Sequence, residues 1–194
     1  MKELGYWRFG IQYLHLSQHV AEMIVQNGNK SVLIEKNFAN EMFDEKTKWS
    51  DHNVALPLFF NFYHGLEVVL KGFLLAKGID VKTNHKLSGL LANFENEYGR
   101  NNLFGLISNY VYQTKLKEPL FSFFENSDAS PDQFYQALKY PESTNKKMFE
   151  YEELLEKGAD CVWFYKTFVD DIKRIRKEAV KLDYTIIDKS KYDK

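Results

Sequence analysis

Four side chains between positions 64 and 85 have types suited to proton transfer and ion pairing: His64, Glu67, Lys71 and His85. On a helix the first three share an arc of about 60°. Glu67 and Lys71 stand four apart with the acid nearer the N-terminus, the favourable order for an ion pair. Their setting is apolar. On the same wheel Glu67 falls between Phe60 and Leu74, within an arc that includes Leu56, Phe59, Tyr63, Leu66, Val69, Leu70 and Phe73. A carboxylate there must be partnered, because burying even a neutral polar group unsatisfied costs roughly 2–7 kcal/mol. Two readings follow. In the structural one, Glu67 pairs with Lys71 and His64 completes the network. In the functional one, Glu67 is an acid, a base or a ligand for a ribose hydroxyl, and Lys71 faces phosphate. His85 comes at the start of the next helix, where it packs or bonds.

A second set lies near the N-terminus. Arg8, Gln12, His15, His19, Glu22 and Gln26 form one narrow polar stripe on an otherwise apolar helix. Imidazole as a class titrates near neutral pH, so His15 can move a proton while Arg8 holds a phosphate; the alternative is a solvated face. Lys173, Arg174, Arg176, Lys177 and Lys181 make a local basic cluster. It serves either to complement a helix C-terminus or to track a nucleic-acid backbone. No metal site and no cofactor are expected. A single cysteine, Cys161, rules out an internal disulfide and a cysteine-built zinc site. His15 and His19 lack the Glu-x-x-His context that a metal pair would have.

These side chains need helices to place them. Four prolines and ten glycines in 194 residues favour long helices over a many-turned sheet, and 44% hydrophobic residues suffice for one core. Charge is balanced, 26 basic against 27 acidic residues, so any attraction to nucleic acid must be local. The spacing predicts a helix over 4–26 that stops at Asn27-Gly28-Asn29. Either a turn or a strand is expected over 31–34, and a short helix over 37–48. The central helix is expected over 53–76, with Ser50-Asp51 supplying N-cap side chains, Pro57 near the first turn and Gly78 as C-terminal cap. Gly65 and Gly72 lie on its opposite side and allow another helix to come close. Further helices are expected from Thr83 or Asn84, over 103–115, after a capping box at Ser130-Pro131-Asp132-Gln133, and over 147–182. The predicted architecture is all-α, an antiparallel bundle of four to five helices in one domain over 1–183, with a loose tail over 184–194. No apolar run reaches the roughly 20 residues of a membrane span, and the N-terminus lacks the form of a signal peptide. A cytoplasmic protein with no membrane partner is expected.

The block Tyr63-His64-Gly65-Leu66-Glu67, Leu70-Lys71, Leu74-Leu75-Ala76-Lys77-Gly78, then Asn84-His85-Lys86-Leu87 and Leu90-Leu91, resembles the HEPN domain family. Phe134 to Pro141 (FYQALKYP) resembles the aromatic-basic-Tyr-Pro stretch that often precedes the last long helix of such proteins. The resemblance extends over about 53–182. It implies an all-α bundle, homodimerisation, and nucleotide- or RNA-linked roles in toxin–antitoxin and phage-defence systems, beside a nucleotidyltransferase-like partner. Catalytic members cleave RNA with an Arg followed four to six residues later by His, on a later helix. Here Arg100, Arg174 and Arg176 have no following His, and only Arg8 and His15 come near that pattern, with six residues between them, on the first helix. The expectation is therefore a nucleotide/RNA-binding or interaction module whose catalysis is unproven. A metal-independent endoribonuclease on Arg8 and His15 or on the Glu67 network is the first alternative, and a partner-binding helical protein the second.

Overall fold

The computed structural model describes residues 2–30, 45–81, 85–155 and 157–192, the end stretches 2–4 and 187–192 by backbone course only. Its elements are α1 (Lys2–Gln26), α2 (Asp51–Ala76), α3 (Leu87–Tyr98), α4 (Asn102–Val111), α5 (Leu120–Asn126), α6 (Phe134–Ala137), α7 (Glu152–Leu155) and α8 (Val162–Tyr192). Three 3-10 turns join them, at Gln113–Lys115, Pro131–Gln133 and Gly158–Cys161. The described residues are all-helical, save one isolated antiparallel bridge between Glu142 and Met148.

Helix α2 is the axis. Its buried positions, from Ala55 through Leu74, include Phe59, Phe62, Tyr63, Leu66, Val69, Leu70 and Phe73. By length and composition it would also pass for a membrane span, but most of that stretch is buried inside the protein. Helix α1 runs antiparallel against it at close range. A Cβ on Gly10 would meet Val69 Cγ2 at 2.6 Å, one on Gly65 would meet Leu14 Cγ at 3.0 Å, and one on Gly72 would meet Trp7 Cδ1 at 2.7 Å. Glycine on both helices is what lets the two backbones approach. On the other side, Phe59 packs against Phe164, Tyr165 and Phe168 of α8, and Phe62 against Tyr110 of α4 and Phe168. Phe73 packs against Phe94 and Tyr98 of α3.

Helices α1 and α2 end alike. Gly28 N–H bonds Val25 O and Asn29 N–H bonds Ile24 O; Gly78 N–H bonds Leu75 O and Ile79 N–H bonds Leu74 O. Both closures use a left-handed residue, Gly28 at φ 69° and Gly78 at φ 76°.

Several boundaries differ from expectation. Helix α2 begins at Asp51, so Pro57 sits inside it beyond the first turn, and Ser50 makes no side-chain cap. Asp51 instead turns its carboxylate inward, fully buried, and accepts from Asn29 Nδ2 at 2.8 Å, Lys157 N at 3.0 Å and Gly158 N at 3.2 Å. This brace ties the end of α1, the start of α2 and the approach to α8. The long helix expected over 147–182 is interrupted: Gly158, at φ 56°, separates α7 from α8. Helix α8 then runs past Leu182 to Tyr192. Helix α5 was not expected at all. The segment expected over 31–34, residues 37–44 of the helix expected over 37–48, and the helix start at Thr83 or Asn84 lie outside the described residues; 45–47 are helical, and α3 itself begins at Leu87.

Candidate functional site

Glu67 projects from the middle of α2 and is 3% exposed. Its Oε1 accepts from Lys71 Nζ at 2.7 Å and from His85 Nδ1 at 2.9 Å. Its Oε2 lies 3.5 Å from His64 Nδ1, close enough to act on it as a charge without hydrogen-bond alignment. Burial by itself would raise the carboxyl pKa. His64, Lys71 and His85 outweigh that and hold it down to about 2, against an ordinary 4.5. Glu67 is therefore ionised at neutral pH and is neither an acid nor an effective base there. Lys71 is buried with its ammonium turned to Glu67, so it does not face an external phosphate. The geometry of these two residues is that of the structural reading, a buried ion pair.

The two histidines differ from that pair. His85 is 65% exposed and sits on the connection between α2 and α3. Lys71 Nζ is 3.4 Å from its Nδ1, but the shorter contact to a carboxylate assigns the Nδ1 proton to Glu67, which leaves Nε2 turned away from the carboxylate. His64 also keeps Nδ1 inward, and its partly exposed ring packs edge-on to Tyr13 at 4.7 Å and stacks on Phe60 at 6.0 Å. A groove of about 480 Å³ opens there between α1 and α2, lined by Gly5, Tyr6, Phe9, Tyr13, His64 and Val68.

The FYQALKYP stretch borders the same region. Phe60 lies 5.7 Å from Tyr135, whose hydroxyl accepts from Lys139 Nζ at 3.2 Å. That ammonium also sits 4.7 Å from the Tyr135 ring centre and 5.2 Å from that of Tyr140. Asp132 secures the stretch to α3, accepting from Ser88 N at 2.7 Å and from the Ser88 hydroxyl, three residues beyond His85. The outcome is a buried ion centre with two imidazoles at its surface and a row of exposed aromatic rings carrying a lysine.

No family model, curated protein or solved structure matches the chain. The site therefore has to be judged by its own geometry.

The other sequence candidates stand apart. Arg8 and His15 are both exposed, neither lines the groove, and among the described residues neither makes a hydrogen bond or ion pair. Helix geometry separates them by about 10 Å along the axis. In the basic cluster Lys173 pairs with Glu22 at 2.9 Å, Arg174 with Asp171 at 3.5 Å, and Arg176 donates to Gln18 Oε1. Lys173 and Arg176 thereby dock α8 on α1, while Lys181 lies 4.0 Å from Glu178 and stays exposed, as do Arg174 and Lys177. Of the expected constellations, His64, Glu67, Lys71 and His85 alone converge. Tyr135, Lys139 and Tyr140, within the FYQALKYP stretch, are not among the residues that the sequence marks for the site. Their signal was present, since aromatic and basic residues alternate there, but nothing in linear sequence places them against Phe60.

Proposed function

We propose that the chain is a HEPN-like bundle module of a cytoplasmic toxin–antitoxin or defence system, binding single-stranded RNA or a nucleotide along the α1–α2 groove. The observation that carries this reading is the shelf of partly exposed rings, Tyr13, His64, Phe60 and Tyr135, with the Lys139 ammonium at its end. Bases stack on such rings whatever their identity, and a neighbouring cation suits the phosphate between them. The convergence of Glu67, Lys71 and His85, which the family likeness had marked, supports the HEPN reading. So does the all-α architecture. Homodimerisation and a nucleotidyltransferase-like partner belong to the same proposal. An endoribonuclease on Arg8 and His15 is less well supported, because nothing in the structure positions either side chain against the other or against the groove.

Fluorescence anisotropy with a short labelled single-stranded RNA tests the proposal. Saturable binding is expected, competed by mononucleotides. Tyr135→Ala is expected to weaken it about tenfold, in line with roughly 1–3 kcal/mol per stacked base. Failure to bind either RNA or nucleotide would leave the chain as a helical partner-binding protein.

A further inference from the structure

The start of α8 carries a second surface, apart from the α1–α2 groove. Trp163 is 55% exposed there and lines two adjoining hollows. On one side Tyr110, Leu120, Phe164 and Phe168 line a narrow apolar slot. Its rings brace one another: Trp163 lies edge-on to Phe164 at 6.4 Å, Phe164 stacks on Phe168 at 5.6 Å, and Tyr110 meets Phe168 edge-on at 5.7 Å. On the other side a cavity of about 480 Å³ opens between residues 118–122 and the turn before α8, with Glu118, Glu153 and Asp160 on its walls.

The charges of that cavity are not balanced from within. Lys157 is taken up by Glu153 at 2.6 Å. Glu118 accepts from the Ser122 hydroxyl at 2.8 Å and from the Ser122 N–H at 3.4 Å, and among the described residues neither Glu118 nor Asp160 pairs with a lysine or arginine. Both are exposed. Two such carboxylates beside an open indole suit a guanidinium or ammonium group: the ring face attracts the cation and the carboxylates accept its hydrogen bonds.

We propose that this groove docks an extended basic segment of a partner protein. An arginine or lysine sits among Glu118, Asp160 and Trp163, and an apolar side chain further along covers the ring-lined slot. From Trp163 to Asp171 the helix runs about 12 Å, the reach of about four extended residues. The carboxylate at the far end, Asp171, is already engaged by the Tyr110 hydroxyl at 2.8 Å and by Arg174 at 3.5 Å, and Lys117 lines the slot. A free polyamine would therefore lay its second cation over apolar rings beside a lysine, whereas a peptide with one basic end and one apolar end fits both halves. The surface shares no residue with the RNA-binding reading and stands or falls apart from it.

Fluorescence anisotropy with the full chain at low salt tests the proposal. The probes are a labelled octapeptide alternating arginine and leucine, a labelled octapeptide alternating glutamate and leucine, and spermidine as unlabelled competitor. Saturable binding of the basic peptide alone is expected, weakening as salt is raised. Trp163→Ala should weaken it about tenfold or more, as loss of an aromatic anchor does, and so should Glu118→Gln with Asp160→Asn. Trp163→Lys, which sets a like charge at the anchor, should abolish it. Glu97→Gln with Glu142→Gln removes the same charge from exposed positions outside the groove and should leave binding unchanged. Thermal melting followed by circular dichroism is expected to match the native chain in every variant, since all the substituted side chains are exposed. Failure to bind the basic peptide, equal binding of the acidic one, or groove variants that bind like the Glu97 and Glu142 pair would each overturn the proposal. Displacement of the peptide by an equal concentration of spermidine would also overturn it, making this a site for free amines.

Discussion

At the scale of single residues the protein turns on Glu67. Its carboxylate is tolerable inside α2 only because Lys71 and His85 share one oxygen and His64 faces the other. Glu67→Gln removes the charge and leaves the buried Lys71 ammonium uncompensated. A loss of about 3–5 kcal/mol is expected for breaking such a pair from one side. At roughly 2–4 °C per kcal/mol for a chain of this size, the fall in melting temperature is easily measured by circular dichroism. The double change Glu67→Gln with Lys71→Met should recover a good part of it. The pH dependence has a definite sign. A carboxyl whose folded pKa is depressed from 4.5 to about 2 contributes stability that is fully present above the ordinary value. That stability is lost as pH falls from about 4.5 towards 2. Melting temperatures across that window should drop more steeply for the native chain than for Glu67→Gln. Asp51 works oppositely: burial raises its pKa, so its contribution is lost as pH rises, and it does not account for an acid-side fall.

At the scale of elements, the close crossing of α1 and α2 sets the groove, and Gly10 is its tightest point. Gly10→Ala would place a methyl 2.6 Å from Val69 Cγ2 and 2.9 Å from Val69 N, where a backbone atom cannot yield. Overpacking of this kind should cost about 1–3 kcal/mol. Gly105→Ala, inside α4 with nothing within 4 Å of the new Cβ, should stabilise by up to about 1 kcal/mol. Chemical denaturation of the two variants beside the native chain checks both signs. The α1–α2 pair was legible in sequence because its apolar positions keep helical spacing and Gly65 and Gly72 open one side of α2 to a close neighbour. The break before α8 was not, since Leu155 and Val162 are seven apart and preserve the periodicity across it. There Gly158 and the Asp51 brace decide, and the brace depends on Asn29, Asp51 and Lys157 meeting from distant parts of the chain. Asp51 itself read as a cap because nothing local distinguishes a capping aspartate from one turned inward. Helix α5 was missed because Leu120-Phe121-Ser122-Phe123-Phe124 is too short and too uniformly apolar to show a period. Of the site, the α2 members were legible from the anomaly of a carboxylate among apolar residues. The aromatic shelf was not, because Phe60 and Tyr135 are neighbours only once Asp132 has fastened its turn to α3.

At the scale of the whole molecule, apolar side chains remain uncovered. Phe9 and Leu16 stand seven apart on α1 at 58% and 50% exposure, and Val180 and Tyr184 stand four apart on α8. Two such stripes on one small protein are more than isolated surface hydrophobics, and a symmetric pair of chains is the simplest way to cover one of them. Light scattering at micromolar concentration is expected to give about twice the 22.9 kDa of a single chain; the single-chain mass contradicts the proposed homodimer. In such a dimer an α8-centred contact leaves the α1–α2 groove open, as the binding proposal needs. The buried ion centre rests on one arrangement, in which Glu67 fixes His85 with Nε2 turned outward. Nitrogen-15 NMR of histidine-labelled protein tests that arrangement most directly. The expected spectrum shows neutral His85 as the Nδ1–H tautomer, with the preference lost in Glu67→Gln. A His85 resonance in the Nε2–H form, or one that Glu67→Gln leaves unchanged, would contradict the account at its centre.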